Sequence, residues 1–170
     1  MIDLLVWALR KARQQTLTLV EDLHQEQMCT QSVKGENHPT WILGHLLLGD
    51  IYLLSLLGDQ NLSEDFSDIL AKYGPATTPV ASTHYYDSKQ ILVDRLTITG
   101  LQRLDAIGGM MNEDLTQPMP DKILAQVQPT IGHHLQALIF HEGHHGGQIS
   151  SWRKAQGFSA AIGAFAPQGF

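Results

Sequence analysis

The chain has 170 residues and a mass of 18.8 kDa, enough for one domain with a real core and short for two. Apolar residues make up 43% and charged residues 16%, which excludes a disordered chain. The formal charge of −6, with 11 Lys and Arg scattered among 17 acids, argues against nucleic acid as a partner.

Met1-Ile2-Asp3 opens with an acid and puts no basic segment before an apolar stretch, so no secretory leader is expected. Leu5, Leu9, Ala12, Thr16, Leu19 and Leu23 recur at spacings of three and four, predicting one amphipathic helix over residues 3–28. Cys29 is the only cysteine, which forbids an internal disulfide and fits a reducing, cytoplasmic compartment. Polar residues 31–37, including Gly35, end this helix. A second begins at Pro39, whose missing N–H costs nothing in a first turn. From 41 to 57 it is apolar nearly all round, the pattern of a helix buried on several sides, and Gly58 closes it. No run reaches the about 18–20 uninterrupted apolar residues of a membrane span, so no membrane partner is expected.

Residues 58–86 are long for a link between neighbouring helices. Within them Ser63 is placed to cap a short helix running to Lys72, stopped by Gly74-Pro75, and 75–86 reads as a crossing segment. Asp87 and Gln90 form an Asx-type capping box opening a third long helix through Ile91, Leu96, Leu104 and Met111. Pro118 and Pro120 punctuate the next loop. Pro129-Thr130 start a fourth long helix that runs to about Ala155, before Gly157. The tail over 157–170 is small and apolar and is expected to pack on the bundle. Four long helices with one long connection in the middle predict a single all-α domain over 1–170, an up-down-down-up four-helix bundle.

Histidine stands out: there are 9, and 5 of them fall between His133 and His145. On the fourth helix His141 and His145 lie about 40° apart in projection and one turn apart, a two-point clamp for a divalent ion. They belong to a core-facing seam of His134, Leu138, His141, His145, Gln148 and Trp152. Imidazoles there are costly unless their nitrogens are satisfied, as a metal would do. His144 sits about 60° from His141, so a His141/His144 pair fits the spacing as well. On the second helix His45 lies in the most apolar stretch of the chain and must be neutral, hydrogen-bonded or metal-bound, which makes it the candidate third ligand. Gly44 and Gly49 thin the helix beside it. His38 reads as a cap or rim residue, and His24 and His84 as surface positions.

His141-Glu142-x-x-His145 also spells the H-E-x-x-H protease signature, with glutamate as base. The extended form would need Gly and His where Gln148 and Ser151 stand, so this reading ranks low. Glu142 is then a solvated or supporting carboxylate. Gln148, one turn past His145, is the candidate to orient a bound species, and Trp41 and Trp152 either wall a pocket or pack in the core.

Two pieces, HPTWILGHLLLGD at 38–50 and HEGHHGGQIS at 141–150, together with their separation, resemble the DinB/YfiT-like superfamily of small metal-binding four-helix proteins. The resemblance implies an up-down-down-up bundle, a metal held by His45, His141 and His145, and a homodimer. It also implies a metal-dependent S-transferase acting with a low-molecular-weight thiol. Gly143-His144 and Gly146-Gly147 differ from the commoner Ala- and Arg-containing versions of the motif, and the loss of an Arg at 146 or 147 weakens the case for an anionic substrate there but not for metal binding. Three neutral imidazoles leave an open coordination position able to activate a thiol or a water, so the expected activity is transferase or hydrolase. The rival is a non-catalytic bundle whose ion is a structural staple or sensor. The expected cofactor is a divalent metal ion, zinc or nickel first, then iron or manganese, since imidazole suits several of these ions.

Overall fold

The computed structural model describes residues 1–58 and 66–161. Among these residues there are five α-helices: α1 (Ile2–Val20), α2 (Pro39–Leu56), α3 (Phe66–Tyr73), α4 (Lys89–Gly108) and α5 (Ile131–Ala155). Two short 3₁₀ turns, Asp114–Thr116 and Leu124–Gln126, lie in the α4–α5 loop. Among the described residues there is no strand, only an isolated bridge from Pro118 to Thr130. The four long helices and the short α3 thus match the predicted elements. Ser63, offered above as a cap, and residues 162–170 of the tail lie outside the described residues. Phe158 and Ala161, at the start of that tail, pack against the core.

Local chemistry sets most helix ends. The His38 ring accepts from Trp41 N ahead of Pro39, and Gly58 closes α2 at φ +90°. Thr130 caps α5 by accepting from His133 N, and Gly157 follows that helix at φ +79°. Three ends differ from expectation. α4 stops at Gly108, short of Met111, where Gly109 N and Met110 N close the last turn onto the Asp105 and Ile107 carbonyls. α1 stops at Val20 rather than 28, because the carbonyls of Leu19, Glu21 and Leu23 are taken by Arg153 and Lys89 instead of by amides farther along the chain. Leu23 and Met28 remain in the core, so the apolar spacing persists beyond the helix. α4 is capped by Ser88, which accepts from Ile91 N, while Asp87 is drawn off to the Tyr73 hydroxyl at 2.8 Å.

Two hydrophobic clusters fill the interior. One gathers Leu19, Trp41, Leu46, Leu92, Leu96, Ile149 and Trp152. The other gathers Leu9, Leu53, Ile107, Ile131 and Leu135. Each long helix also carries a buried charge: Arg13 on α1, Asp50 on α2, Arg103 on α4 and Glu142 on α5. These four bond to one another. Arg13 reaches Asp50 at 2.8 Å and also Glu142, while Arg103 reaches Asp50 at 2.6 Å and Glu142 at 2.9 Å. Thr99 adds a hydroxyl to Asp50 at 2.8 Å. α2 is long and apolar enough, by length and composition, to cross a membrane, yet most of it is buried inside the molecule. His45 and Asp50, its polar interruptions, both have partners.

Candidate metal centre

The site is built from two helices that are far apart in sequence. α2 carries His45, and α5 carries His141 and His145 one turn apart. One ring nitrogen from each lies within 4.8 Å of the other two. His141 Nε2 stands 3.1 Å from His45 Nε2 and 3.0 Å from His145 Nε2.

The outer edges of two rings settle what the inner edges offer. His45 Nδ1 lies 2.8 Å from the Tyr73 carbonyl, which only accepts, so Nδ1 carries the proton and Nε2 a lone pair. His145 Nδ1 lies 2.8 Å from Gln148 Oε1, which sets the same tautomer. Asn37 Nδ2 donates to that oxygen at 3.3 Å, and Gln148 Nε2 faces His144 Nε2 at 3.2 Å, which fixes the amide's orientation. Two lone pairs therefore aim at one nitrogen of His141, and a single N–H there satisfies only one of them. A cation among the three rings satisfies all of them. The spacing is close to the about 3.4 Å between ligands of a tetrahedral ion with bonds of about 2.0–2.1 Å.

Electrostatics favours the same occupant. Burial, then the neighbouring imidazoles, push His141 down to about 4 and His145 down to about 3. Burial also lowers His45, opposed by its bond to Tyr73. Groups shifted this way are neutral at pH 7, the form that binds metal.

Packing holds the α2 ring in place. Trp41 stacks on His45 at 4.7 Å and 10°, and its Nε1 donates to Thr77 Oγ1 at 2.9 Å. Trp41 is thus a wall of the site. Trp152 is a core residue instead, donating to the Thr30 carbonyl at 2.8 Å and stacking on Phe158. Gly44 admits the Tyr73 ring against α2, and a Cβ there would overlap that ring. Gly44→Ala is therefore expected to lose about 1–3 kcal/mol despite its better helix propensity. It should also displace the Tyr73 carbonyl from His45. The urea midpoint, read together with metal affinity, checks both effects.

The remaining sequence candidates fall elsewhere. His144 is exposed and stacks on Phe140, so the described geometry gathers His141 with His145 rather than with His144. His38 is a buried cap, and His24 and His84 are exposed. His134 is buried, its Nδ1 held by Gln128 Oε1 at 2.6 Å. Gln148 bonds the outer edge of His145 through Oε1. Of the two roles offered for Glu142, the solvated one is excluded: it is buried and its carboxylate is bound by Arg13 and Arg103. Held by two guanidiniums, it is not a free base for protease chemistry. Sequence reading missed the Tyr73 carbonyl and the four-charge layer. Asp50 was the available signal for that layer, an acid inside the most apolar helix that had to find a cation.

Comparison with known proteins agrees with this architecture. A family model described as the DinB superfamily matches residues 8–149, which contain all three histidines. No curated protein matches the chain.

Proposed function

The chain belongs to the DinB superfamily, and from that premise we propose that it is a metal-dependent enzyme acting on a small molecule. In this reading His45, His141 and His145 hold one divalent ion, zinc or nickel. The observation that carries it is the meeting of the His45 and His145 lone pairs at His141 Nε2. When bound, an ion on three neutral imidazoles keeps its full charge and an open position, and lowers the pKa of a thiol or a water. The chain's own groups do the positioning. The Tyr73 carbonyl and Gln148 orient two rings, and Trp41 shields the face of His45 from solvent. Thiol transfer ranks first and hydrolysis second.

In the same reading the chain is one domain over 1–170 with its long helices in up-down-down-up order. The support is the order of the two hydrophobic clusters along each helix. α1 and α5 run from the Leu9 cluster to the Leu19 cluster, and α2 and α4 run the other way.

The test is turnover by metal-loaded protein, first with thiol and electrophile pairs followed by thiol consumption, then with ester and amide panels. The expected result is thiol transfer that stops on chelation and returns when metal is added back. No turnover with any panel, together with a large fall in Tm on chelation, overturns the enzyme reading and assigns a structural staple.

A further inference from the structure

The side chain of Gln148 is able to serve either tautomer of His145. Its amide carries an oxygen on one side and an NH2 of nearly the same size on the other, so packing does not choose between its two orientations. With the oxygen 2.8 Å from His145 Nδ1, the ring proton stays on Nδ1 and the lone pair on Nε2. An NH2 in that place would donate to Nδ1 instead, move the ring proton to Nε2 and block the ligand atom. The outer partners of the amide must therefore decide.

Of the contacts to His144 and Asn37, only the second is selective. His144 Nε2 lies 3.2 Å from Gln148 Nε2, but His144 is exposed and its ring offers a lone pair or an N–H equally well, so it suits both orientations. Asn37 Nδ2 lies 3.3 Å from Gln148 Oε1 and only donates. The loop before α2 keeps the half-buried Asn37 at that spot. On one side of it, Gln31 Nε2 donates to the Glu36 carbonyl at 2.9 Å and to the Pro79 carbonyl at 3.0 Å, and Ser32 N donates to the Glu36 carboxylate at 2.7 Å. On the other side, His38 is buried as the cap of α2, with its Nε2 3.1 Å from the Val80 carbonyl.

We propose that Asn37 is a positioning residue for the metal: by donating to Gln148 Oε1 it holds the amide in the orientation that leaves His145 Nε2 free of a proton and open to the ion. The proposal rests on the three-histidine metal reading above and adds to it a residue from outside both ligand-bearing helices.

The experiment uses the full chain and two readouts. Competition with a chromophoric chelator gives the zinc affinity, and long-range proton–nitrogen NMR on metal-free protein gives the His145 tautomer. Asn37→Asp replaces the donor with a nearly isosteric group that only accepts. It should turn the Gln148 NH2 toward itself and His145, move the ring proton to Nε2 and weaken zinc binding by about 100-fold. Asn37→Ala removes the preference without reversing it and should weaken binding by about tenfold. Charge alone dictates the opposite order, because a carboxylate added near a cation strengthens its binding. Gln148→Glu gives His145 Nδ1 an acceptor in either orientation, so in that background Asn37→Ala should change the affinity by less than about twofold. Circular dichroism confirms that each variant is folded, and should Asn37→Asp unfold the chain, the Asn37→Ala and Gln148→Glu cycle decides alone.

An unchanged His145 tautomer in both Asn37 variants, with zinc affinities within about twofold of wild type, overturns the proposal and leaves the metal reading standing. Tighter zinc binding by Asn37→Asp does the same, as does a loss from Asn37→Ala that persists undiminished beside Gln148→Glu. Wild type that takes up neither zinc nor nickel overturns the metal reading, and the proposal with it.

Discussion

Asp50→Ala is expected to lower stability by about 3–5 kcal/mol, a large part of the about 5–15 kcal/mol available to a domain. Asp50 is 1% exposed and accepts from Arg13, Arg103 and Thr99. Its removal leaves two buried guanidiniums sharing the single carboxylate of Glu142. The cost is the stranded charge rather than the lost bonds, because the desolvation of both arginines is no longer offset. Urea unfolding measures it, and a loss below about 1 kcal/mol would show that the layer contributes little.

The same layer gives a pH signature. Burial alone would raise the Asp50 pKa, but Arg13 and Arg103 outweigh it and hold the group below its ordinary value of 3.8. The folded pKa is therefore depressed. The stabilisation is fully present above 3.8 and is lost as pH falls from there through the folded value. Acid unfolding of wild type should steepen in that window, and Asp50→Asn should remove that component.

The second large effect concerns the histidines. His45→Ala is expected to weaken metal binding by more than about 100-fold, since even an outer partner of a metal-bound histidine is worth about 10–100-fold. The helices should remain formed, because His45 contributes one ring to a core otherwise built from α2's apolar residues. The His45→Ala/His145→Ala double variant should lose stoichiometric metal altogether. His144→Ala should keep it, its ring being exposed and outside the cluster. Metal analysis after dialysis, alongside circular dichroism, reads all three. A full equivalent of metal retained by the double variant would remove the three-histidine centre.

Apolar spacing, Pro39, Thr130, Gly58 and Gly157 were enough to place the long helices, because caps and periodicity act over a few residues along one chain segment. The pairing of His141 with His145 was visible for the same reason, since one helical turn brings them together whatever surrounds them. His45 was visible by contrast, as a lone imidazole in an apolar run.

The rest had no local signature. Choosing His145 over His144 depended on how α5 is rotated against α2. That rotation is held by Glu142 and Asp50 meeting arginines that come from α1 and α4. The Tyr73 carbonyl that fixes the His45 tautomer belongs to a short helix in the crossing segment. α1 ended early because Arg153 and Lys89, more than sixty positions away, claimed its carbonyls. Each of these outcomes is a contact between segments joined by aperiodic loops, and the path of such loops emerges only when the whole chain packs.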